Sequence, residues 1–358
     1  MLAIKSPQSY HHQPGLRARV GEYIASRAKN ISIITSPQAW QAVNPELEAS
    51  LQQHQIRYRV SFLAGECSGA AIANHRAQVT EQAATLVMGI GGGRVLDCAK
   101  AVANGLQNVA VVTMPTQAAT CAAWSPLSII YNEHGGFERR QTLSDMPLLV
   151  LVDSEVIARS NVRYLKAGIV DALAKWYEFR PYQQVDGESL SLNLKVQVAQ
   201  LALDVFEQYG AQAISDNARH QVTPELIKVI DANIALAGLV NSMRGATPTP
   251  GLAHAIHDRL THQGELHEWL HGEKVGFGLL VQSLLENGNA QADSKLLSLL
   301  HEYDAPLILP SLQGDRRTVI SAIAREVKFT REDDAAHLLF AFTASTIEEA
   351  LLATENRF

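Results

Sequence analysis

The chain has 358 residues, of which 47% are hydrophobic and 18% are charged, enough for two domains that each bury an apolar core. Its formal net charge of −6 gives no electrostatic basis for binding nucleic acid. No uncharged apolar run of about 18 residues predicts a membrane span, and the N-terminus lacks the apolar core of a secretory signal. The three cysteines, Cys67, Cys98 and Cys121, show no CxxC spacing. We therefore expect a reduced, cytoplasmic protein.

The first part of the chain alternates between helix-like and strand-like segments. Amphipathic stretches predict helices at 16–28, 38–54, 66–84 and 94–104. Apolar or alternating runs predict strands at 31–35, 57–62, 85–90, 109–114 and 148–153. Strands separated by helices imply βαβ units, so we predict an α/β domain with a mainly parallel sheet.

The character of the sequence changes after about residue 161. Long amphipathic stretches rich in alanine and leucine follow at 163–180, 190–208, 224–243, 251–260, 272–286 and 293–303. No convincing strand run interrupts them, so this part is predicted to be an all-helical domain. We place the boundary within 155–162, which gives domains of residues 1–158 and 159–358.

A glycine turn, Gly91-Gly92-Gly93-Arg94, leaves a predicted strand and enters a predicted helix. Its N–H groups and the helix N-terminus suit a pyrophosphate, and Arg94 would add a charged contact. The turn is not GxGxxG and follows the third predicted strand, so the standard dinucleotide fingerprint is absent. The alternative is a tight turn where helix and sheet pack closely.

A second candidate segment, residues 115–128, follows the strand that ends at Met114. It therefore lies at the carboxyl edge of the sheet, where open α/β sheets bind ligands. Its small and hydroxylated residues, including Thr116 and Ser125, allow a ligand to approach closely. A polar loop that caps the next helix is the alternative explanation.

One carboxylate and two imidazoles predict a metal centre. Asp171 lies on an otherwise apolar helix face, where an ionised carboxylate is costly unless it is paired or binds metal. His254 and His257 are three residues apart on one helical face, and His271 opens a glycine-rich stretch. We expect Asp171, His254 and His271 to bind one divalent metal with positions left open for substrate; structural histidines are the alternative. The ligand set does not distinguish zinc, iron, nickel, cobalt or manganese.

Together these segments resemble the iron-containing alcohol dehydrogenase superfamily, most closely its glycerol-dehydrogenase-like branch. The matching segments, in the family's order, are 91–100, 114–131, 168–174, 254–257 and 271–278. The resemblance implies a dehydroquinate-synthase-like architecture, in which an N-terminal dinucleotide-binding domain and a C-terminal helical domain enclose a cleft. It implies that Asp171, His254 and His271 bind metal. It also implies that the nicotinamide nucleotide is lined by Gly92, Gly93, Arg94, Thr116, Ser125, Leu127 and Tyr131.

Two departures from the branch concern the substrate. Cys121 stands where glycerol dehydrogenases have an aspartate, and loss of that carboxylate removes a repulsion against anionic substrates. Lys175 stands where some members of the superfamily place a fourth metal ligand, and its ammonium suits a substrate carboxylate. In the alternative to this substrate-binding role, Lys175 is exposed to solvent or pairs with a carboxylate of the chain. These variants resemble a hydroxycarboxylate dehydrogenase subgroup.

The stretch after the first predicted strand bears on the nucleotide. Family members that prefer NAD have an aspartate there for the ribose 2′-hydroxyl, whereas this chain has Ser36. No carboxylate repels a 2′-phosphate, so the cofactor is NADP(H) or NAD(H), with a lean to NADP(H).

The sequence thus predicts a metal-dependent NAD(P)(H) oxidoreductase that interconverts a secondary alcohol and a ketone, with a small 2-hydroxy or 2-oxo carboxylate as substrate. His257 is the candidate proton relay, because histidine titrates near neutrality; orientation of His254 is its alternative role. A polyol dehydrogenase is the runner-up. More distant rivals are a dehydroquinate-synthase-like lyase, whose basic cluster we do not find, and a non-catalytic relative. We expect a homo-oligomer, as is common in the family.

Overall fold

The computed structural model describes residues 2–288, 291–329 and 332–357. The strands of the first part are β1 (Ala3–Ile4), β2 (Ser9–His12), β3 (Asn30–Thr35), β4 (Arg57–Phe62), β5 (Leu86–Gly91), β6 (Ala110–Pro115), β7 (Leu127–Tyr131), β8 (Phe137–Thr142) and β9 (Leu149–Val152). The helices among them are α1 (Val20–Ile24), α2 (Pro37–Val43), α3 (Glu46–Gln53), α4 (Gly69–Glu81), α5 (Gly93–Asn104) and α6 (Ser154–Ala158).

The later part is helical, as predicted. Its helices are α7 (Val162–Val185), α8 (Leu190–Ala218), α9 (Pro224–Asp231), α10 (Ala237–Ser242), α11 (Leu252–Leu260), α12 (His271–Glu286), α13 (Ser294–Glu302), α14 (Arg316–Glu326) and α15 (Ala344–Arg357). A π-helical stretch, Ala232–Leu236, joins α9 to α10, and a two-residue strand, β10 (Met243–Arg244), follows α10. None of the helices in the described ranges has both the length and the apolarity needed to cross a membrane.

Six strands form one parallel sheet in the order β2-β9-β6-β5-β3-β4. Gly91 at the end of β5 lies opposite Pro115 at the end of β6. Because both strands run in the same direction, the glycine turn and the loop after β6 meet at the same carboxyl edge. Apolar residues pack against both faces of the sheet, which explains why its central strands read as uninterrupted apolar runs.

The structure corrects several details of the expected element order. The helix predicted over 38–54 is two helices, because Pro45 has no N–H to continue the first and the preceding residue takes an extended conformation. The amphipathic stretch 16–28 is a 3₁₀ turn followed by the five-residue α1. Strand β2 was missed because it is a short, half-buried edge strand of polar and aromatic residues.

Two antiparallel pairs lie outside the main sheet. Strands β7 and β8 form a hairpin over residues 127–142, here called the β7–β8 hairpin. Strand β1 pairs with β10, so the N-terminal residues reach across to the helical part of the chain. That pair is an exception to the all-helical expectation, although it covers only two residues of the later part.

Candidate active site

The predicted ligands converge. One ligand atom each from Asp171, His254 and His271 lies within 4.8 Å of the other two. Asp171 Oδ1 is 3.5 Å from His254 Nε2 and 3.3 Å from His271 Nε2. The carboxylate is buried, whereas the two imidazoles are partly exposed. An oxygen and two imidazole nitrogens on an accessible surface are a fitting donor set for a divalent ion that keeps open positions.

Small residues allow the helices that carry these ligands to approach closely. A Cβ on Gly272 would lie 1.8 Å from the Ala167 carbonyl oxygen of α7, and a Cβ on Gly278 would lie 2.4 Å from the Ala253 carbonyl oxygen of α11. Only glycine permits such contacts between backbones. The glycines of the segment that begins at His271 therefore bring α12 against both other ligand helices.

An ion pair fixes the start of α12. Glu273 accepts hydrogen bonds from Arg163 Nε at 2.6 Å and from an Arg163 terminal nitrogen at 2.7 Å, across from α7. The same carboxylate accepts from the Leu270 backbone N–H. This bidentate contact sets the position of His271, the first residue of the helix.

Glu178 orients His254. Its Oε2 lies 2.8 Å from His254 Nδ1, and its Oε1 accepts from the His254 backbone N–H. A carboxylate can only accept, so Nδ1 carries a proton, which in the neutral ring leaves Nε2 with the lone pair that a metal ligand needs. Gly251 makes room for this contact, because a Cβ there would lie 2.4 Å from Glu178 Oε1.

His257 orients His271 in the same way. His257 Nε2 is 2.8 Å from His271 Nδ1, and His257 Nδ1 is 3.0 Å from Asp258 Oδ1. Burial, with the neighbouring His271, lowers the pKa of His257 to about 3. The lowered pKa and these contacts both favour the orienting role, directed at His271 rather than His254.

Lys175 lies inside the ligand cluster. Its ammonium is 3.2 Å from Asp171 Oδ1 and 3.3 Å from His254 Nε2, and its side chain is 4% exposed. A solvated position on the helix surface is thus ruled out. Burial raises the pKa of Asp171, but Lys175 and His271 favour the ionised form more strongly, and the net pKa lies well below its ordinary value.

The nucleotide candidates meet at the sheet edge. The Thr116 backbone N–H donates to the Gly91 carbonyl oxygen, and Cβ atoms on Gly92 and Gly93 would contact Gln117 and Thr120. The same loop reaches α7, where a Cβ on Gly168 would lie 1.9 Å from the Ala118 carbonyl oxygen. The loop after β6 therefore connects the glycine turn to the helix that carries Asp171.

Buried Lys100 holds the end of this loop. Its ammonium donates to the backbone carbonyls of Ser125 and Leu127 and pairs with Asp97 at 2.9 Å. The Asp97 carboxylate also accepts from the Ile129 backbone N–H. These contacts fix the start of the β7–β8 hairpin, which begins at Leu127 and reaches Tyr131 at the end of β7.

Three other residues singled out in the sequence have hydrogen-bond or ion-pair partners within the protein. Arg94 pairs with Glu66 at 2.8 Å, and the side chain of Ser36 accepts from the Ala39 backbone N–H at the start of α2. Cys121 is buried, its sulfur accepts from Asn241 Nδ2 at 3.3 Å, and burial raises the pKa of its thiol to about 11.

Sequence reasoning singled out His257 but missed the other groups that orient the ligands. Glu178 follows Asp171 by seven residues and Lys175 by three, so all three share one face of α7. That spacing was a usable signal. The contact between Asp258 and Arg140 on β8 was not, because it joins residues 118 positions apart.

The parallel sheet with its glycine turn offers an edge for a nucleotide, and one loop joins that edge to a carboxylate–imidazole cluster that fits a divalent metal. The sequence profile of the iron-containing alcohol dehydrogenase family matches residues 7–154. Glycerol dehydrogenase from Pseudomonas putida is 33% identical over 90% of this chain and 88% of that protein. The chain belongs to the iron-containing alcohol dehydrogenase family and is an oxidoreductase acting on the CH–OH group of donors.

Two further likenesses bear on its position within the family. Hydroxycarboxylate dehydrogenase A from Escherichia coli K12 is 37% identical over 70% of this chain and 69% of that protein. The crystal structure of glycerol dehydrogenase from Schizosaccharomyces pombe has a TM-score of 0.82 and 28% identity, covering 98% of this chain and 90% of that one. The fold class, the enzyme class and the use of a nicotinamide nucleotide with a divalent metal are thereby confirmed.

Proposed function

We propose that this dehydrogenase interconverts a small 2-hydroxy carboxylate and its 2-oxo acid. The observation that carries the proposal is the position of Lys175, whose ammonium lies within 3.3 Å of two of the metal-ligand candidates. A divalent ion held by Asp171, His254 and His271 would place two cations side by side. An anion between them removes the repulsion, and the carboxylate of a 2-oxo acid is such an anion.

Cys121 supports the same class of substrate. Its thiol is buried, and its raised pKa keeps it neutral at physiological pH. A neutral group at this position does not repel a substrate carboxylate, whereas the aspartate of glycerol dehydrogenases would. The likeness to hydroxycarboxylate dehydrogenase A points in the same direction.

The protein's own groups prepare the metal centre. Glu178 and His257 hold the imidazoles of His254 and His271 with their Nε2 lone pairs directed inward, and Asp171 is kept ionised. When bound, the divalent ion supplies Lewis-acid polarisation of the substrate oxygen, and the nicotinamide supplies or accepts hydride. The loop after β6 positions the two halves of the site relative to each other.

For the nucleotide, we propose binding along the sheet edge by Gly91, Gly92, Gly93, Arg94, Thr116, Ser125, Leu127 and Tyr131. The N-terminus of α5 presents backbone N–H groups suited to a pyrophosphate. Ser36 precedes α2 and caps it with a hydroxyl instead of a carboxylate, so a 2′-phosphate meets no repulsion there, and NADP(H) is accepted beside NAD(H).

Glycerol or another polyol is the second candidate substrate. It is favoured by the likeness to the glycerol dehydrogenases of Pseudomonas putida and Schizosaccharomyces pombe, which cover most of the chain. In that case Lys175 serves only as the ion-pair partner of Asp171.

Turnover on charged and neutral substrates separates the candidates. Oxidation of NADPH and NADH is measured, with metal supplied, on 2-oxoglutarate, oxaloacetate and 2-oxobutyrate beside dihydroxyacetone. We expect turnover of the oxo acids, and in Lys175→Met a raised KM for them with the metal still bound. Turnover of dihydroxyacetone alone contradicts the proposal and establishes a polyol dehydrogenase.

We also propose that the chain divides at residues 158 and 159 and works in the cytoplasm as a homo-oligomer. The end of α6 at Ala158 supports the division, and three free buried cysteines support a reducing compartment. Val185 and Leu190 expose 71% and 69% of their surface on consecutive helices, a surface that a second copy would cover. Light scattering during gel filtration tests the oligomer; a monomer at micromolar concentration contradicts it.

A further inference from the structure

We propose that Arg140, on the β7–β8 hairpin, is a positioning residue for the metal centre, acting through Asp258 and His257 on His271. Arg140 donates to Asp258 Oδ2 at 2.5 Å, Asp258 Oδ1 contacts His257 Nδ1, and His257 Nε2 contacts His271 Nδ1. The inference rests on the proposed metal site. It adds that a residue of the nucleotide-binding half helps to decide whether His271 can act as a ligand.

The hairpin is firmly attached to α11, the helix that carries His257. The Phe137 backbone N–H donates to Thr261 Oγ1 at 2.7 Å, and Thr261 Oγ1 donates in turn to the Asp258 carbonyl oxygen. A Cβ on Gly136 would lie 2.5 Å from His262 Nδ1. The β7–β8 hairpin is therefore held against α11, and this packing places Arg140 beside Asp258.

Arg140 sets the direction of every hydrogen bond in the series. A guanidinium can only donate, so Asp258 must accept at Oδ2 and is held as a carboxylate. A carboxylate also accepts at Oδ1, which places the His257 proton on Nδ1. His257 Nε2 then has a lone pair and accepts from His271 Nδ1–H. The remaining His271 nitrogen, Nε2, then has a free lone pair, which a metal ligand needs. This nitrogen lies 3.3 Å from Asp171 Oδ1.

Without the guanidinium this direction is no longer fixed. A carboxyl that has lost its cation can carry a proton and donate, which lets His257 take the opposite tautomer. His257 would then donate from Nε2, His271 would accept at Nδ1, and the His271 proton would lie on Nε2, where it blocks coordination. His257 is 2% and Asp258 8% exposed, so water has little access to the pair and cannot replace the hydrogen bonds of the guanidinium.

The second ligand provides an internal comparison. His254 is oriented by Glu178, which contacts both its ring and its backbone. Loss of Arg140 should therefore change the tautomer of His271 and leave that of His254 as it is.

The test is the affinity of the metal-stripped full-length protein for Zn²⁺, measured by competition with a chromophoric chelator in the absence of nucleotide and substrate. We expect Arg140→Met to weaken binding by about tenfold. Arg139→Met is the matched control, since Arg139 is the next residue on the same strand, is exposed and pairs with Glu138; it should change the affinity by less than about twofold. Arg140→Lys keeps a donating cation, so its Zn²⁺ affinity should be close to that of the wild type.

A structural readout accompanies the affinity. NMR of ¹⁵N-histidine protein in the metal-free state reports which ring nitrogen carries each proton. We expect His271 to be protonated on Nδ1 in the wild type and to show the Nε2–H form in Arg140→Met. If Arg140→Met does not fold, Asp258→Asn should give the same two changes, because Arg140 can only donate and so holds the amide oxygen, which turns the donating amide NH2 toward His257 Nδ1.

Unchanged Zn²⁺ affinity and an unchanged His271 tautomer in these variants overturn the inference. Failure of the proposed metal site has a different signature, because wild-type protein would then bind no metal there in the first place. Failure of the proposed substrate class has another, since turnover of dihydroxyacetone alone leaves the Zn²⁺ affinity and the His271 tautomer of these variants untouched.

Discussion

Replacement of Gly272 by alanine tests how the metal centre is built. The added Cβ would lie 1.8 Å from the Ala167 carbonyl oxygen, whereas real Cβ contacts essentially never fall below 3.0 Å. The backbones of α7 and α12 must therefore separate by about 1.2 Å, far more than the ±0.2 Å within which metal–ligand distances hold. Because α7 carries Asp171 and α12 begins at His271, we expect loss of both packing and metal affinity.

The expected magnitude follows from overpacking of a well-filled contact. Gly272→Ala should lower the free energy of unfolding by about 1–3 kcal/mol in metal-free protein. It should also weaken Zn²⁺ binding by at least about tenfold. Gly69→Ala at the start of α4 is the control, because nothing lies within 4 Å of a Cβ built there. That replacement should be stabilising by about 0.4–1 kcal/mol, since it restricts the unfolded chain.

Urea unfolding followed by fluorescence and chelator competition for Zn²⁺ check the two expectations. The reasoning is refuted if Gly272→Ala matches Gly69→Ala in stability and the wild type in metal affinity. Loss of stability without loss of affinity would show that the ligands adjust independently of the helix contact.

Other consequences concern the metal and the substrate. Burial lowers the pKa of His254, but Glu178 and Asp171 raise it above its ordinary value of about 6.5, so protons compete with the metal. Zn²⁺ affinity measured against pH should fall as the pH drops through that raised pKa; a flat profile from about pH 8 to 6 would contradict this. Glu178→Gln should weaken Zn²⁺ binding by about 10- to 100-fold in chelator competition. An unchanged affinity would show that Glu178 does not orient His254 for metal binding. Cys121→Asp should raise the KM for 2-oxo acids more than that for dihydroxyacetone, and equal effects on both would remove the charge argument. Saturation with Zn²⁺ at about 100 times Kd should stabilise the wild type by about 2.7 kcal/mol but not Asp171→Asn, as judged by urea unfolding.

The fold class and the ligands could be predicted because their signals are local. The strand at 57–62 has the predicted limits, and the helical character of residues 162–302 follows from periodicity and length, whereas α14 and α15 were not predicted. Asp171 was recognisable because a carboxylate on an apolar helix face needs a partner, wherever that partner comes from.

The rest depends on contacts between distant parts of the chain. Arg140 lies on a hairpin whose strands the sequence did not predict. Its proposed role depends on its contact with Asp258, which lies 118 positions further along the chain. The burial that lowers the pKa of His257 could not be foreseen, because the ordinary value assumes solvent and the residue is 2% exposed. The alternative of a solvated Lys175 failed for the same reason, since burial depends on what packs against a helix and not on its sequence alone.

The measurement that most directly tests the central claim is metal stoichiometry combined with nucleotide binding. Wild-type protein and Asp171→Ala would be loaded with Zn²⁺, freed of excess metal and analysed for metal per chain, with NADPH and NADH binding followed by fluorescence. We expect one metal per wild-type chain, none in Asp171→Ala, and nucleotide binding in both. A full complement of metal in Asp171→Ala would contradict the assignment of Asp171, His254 and His271 as the metal centre.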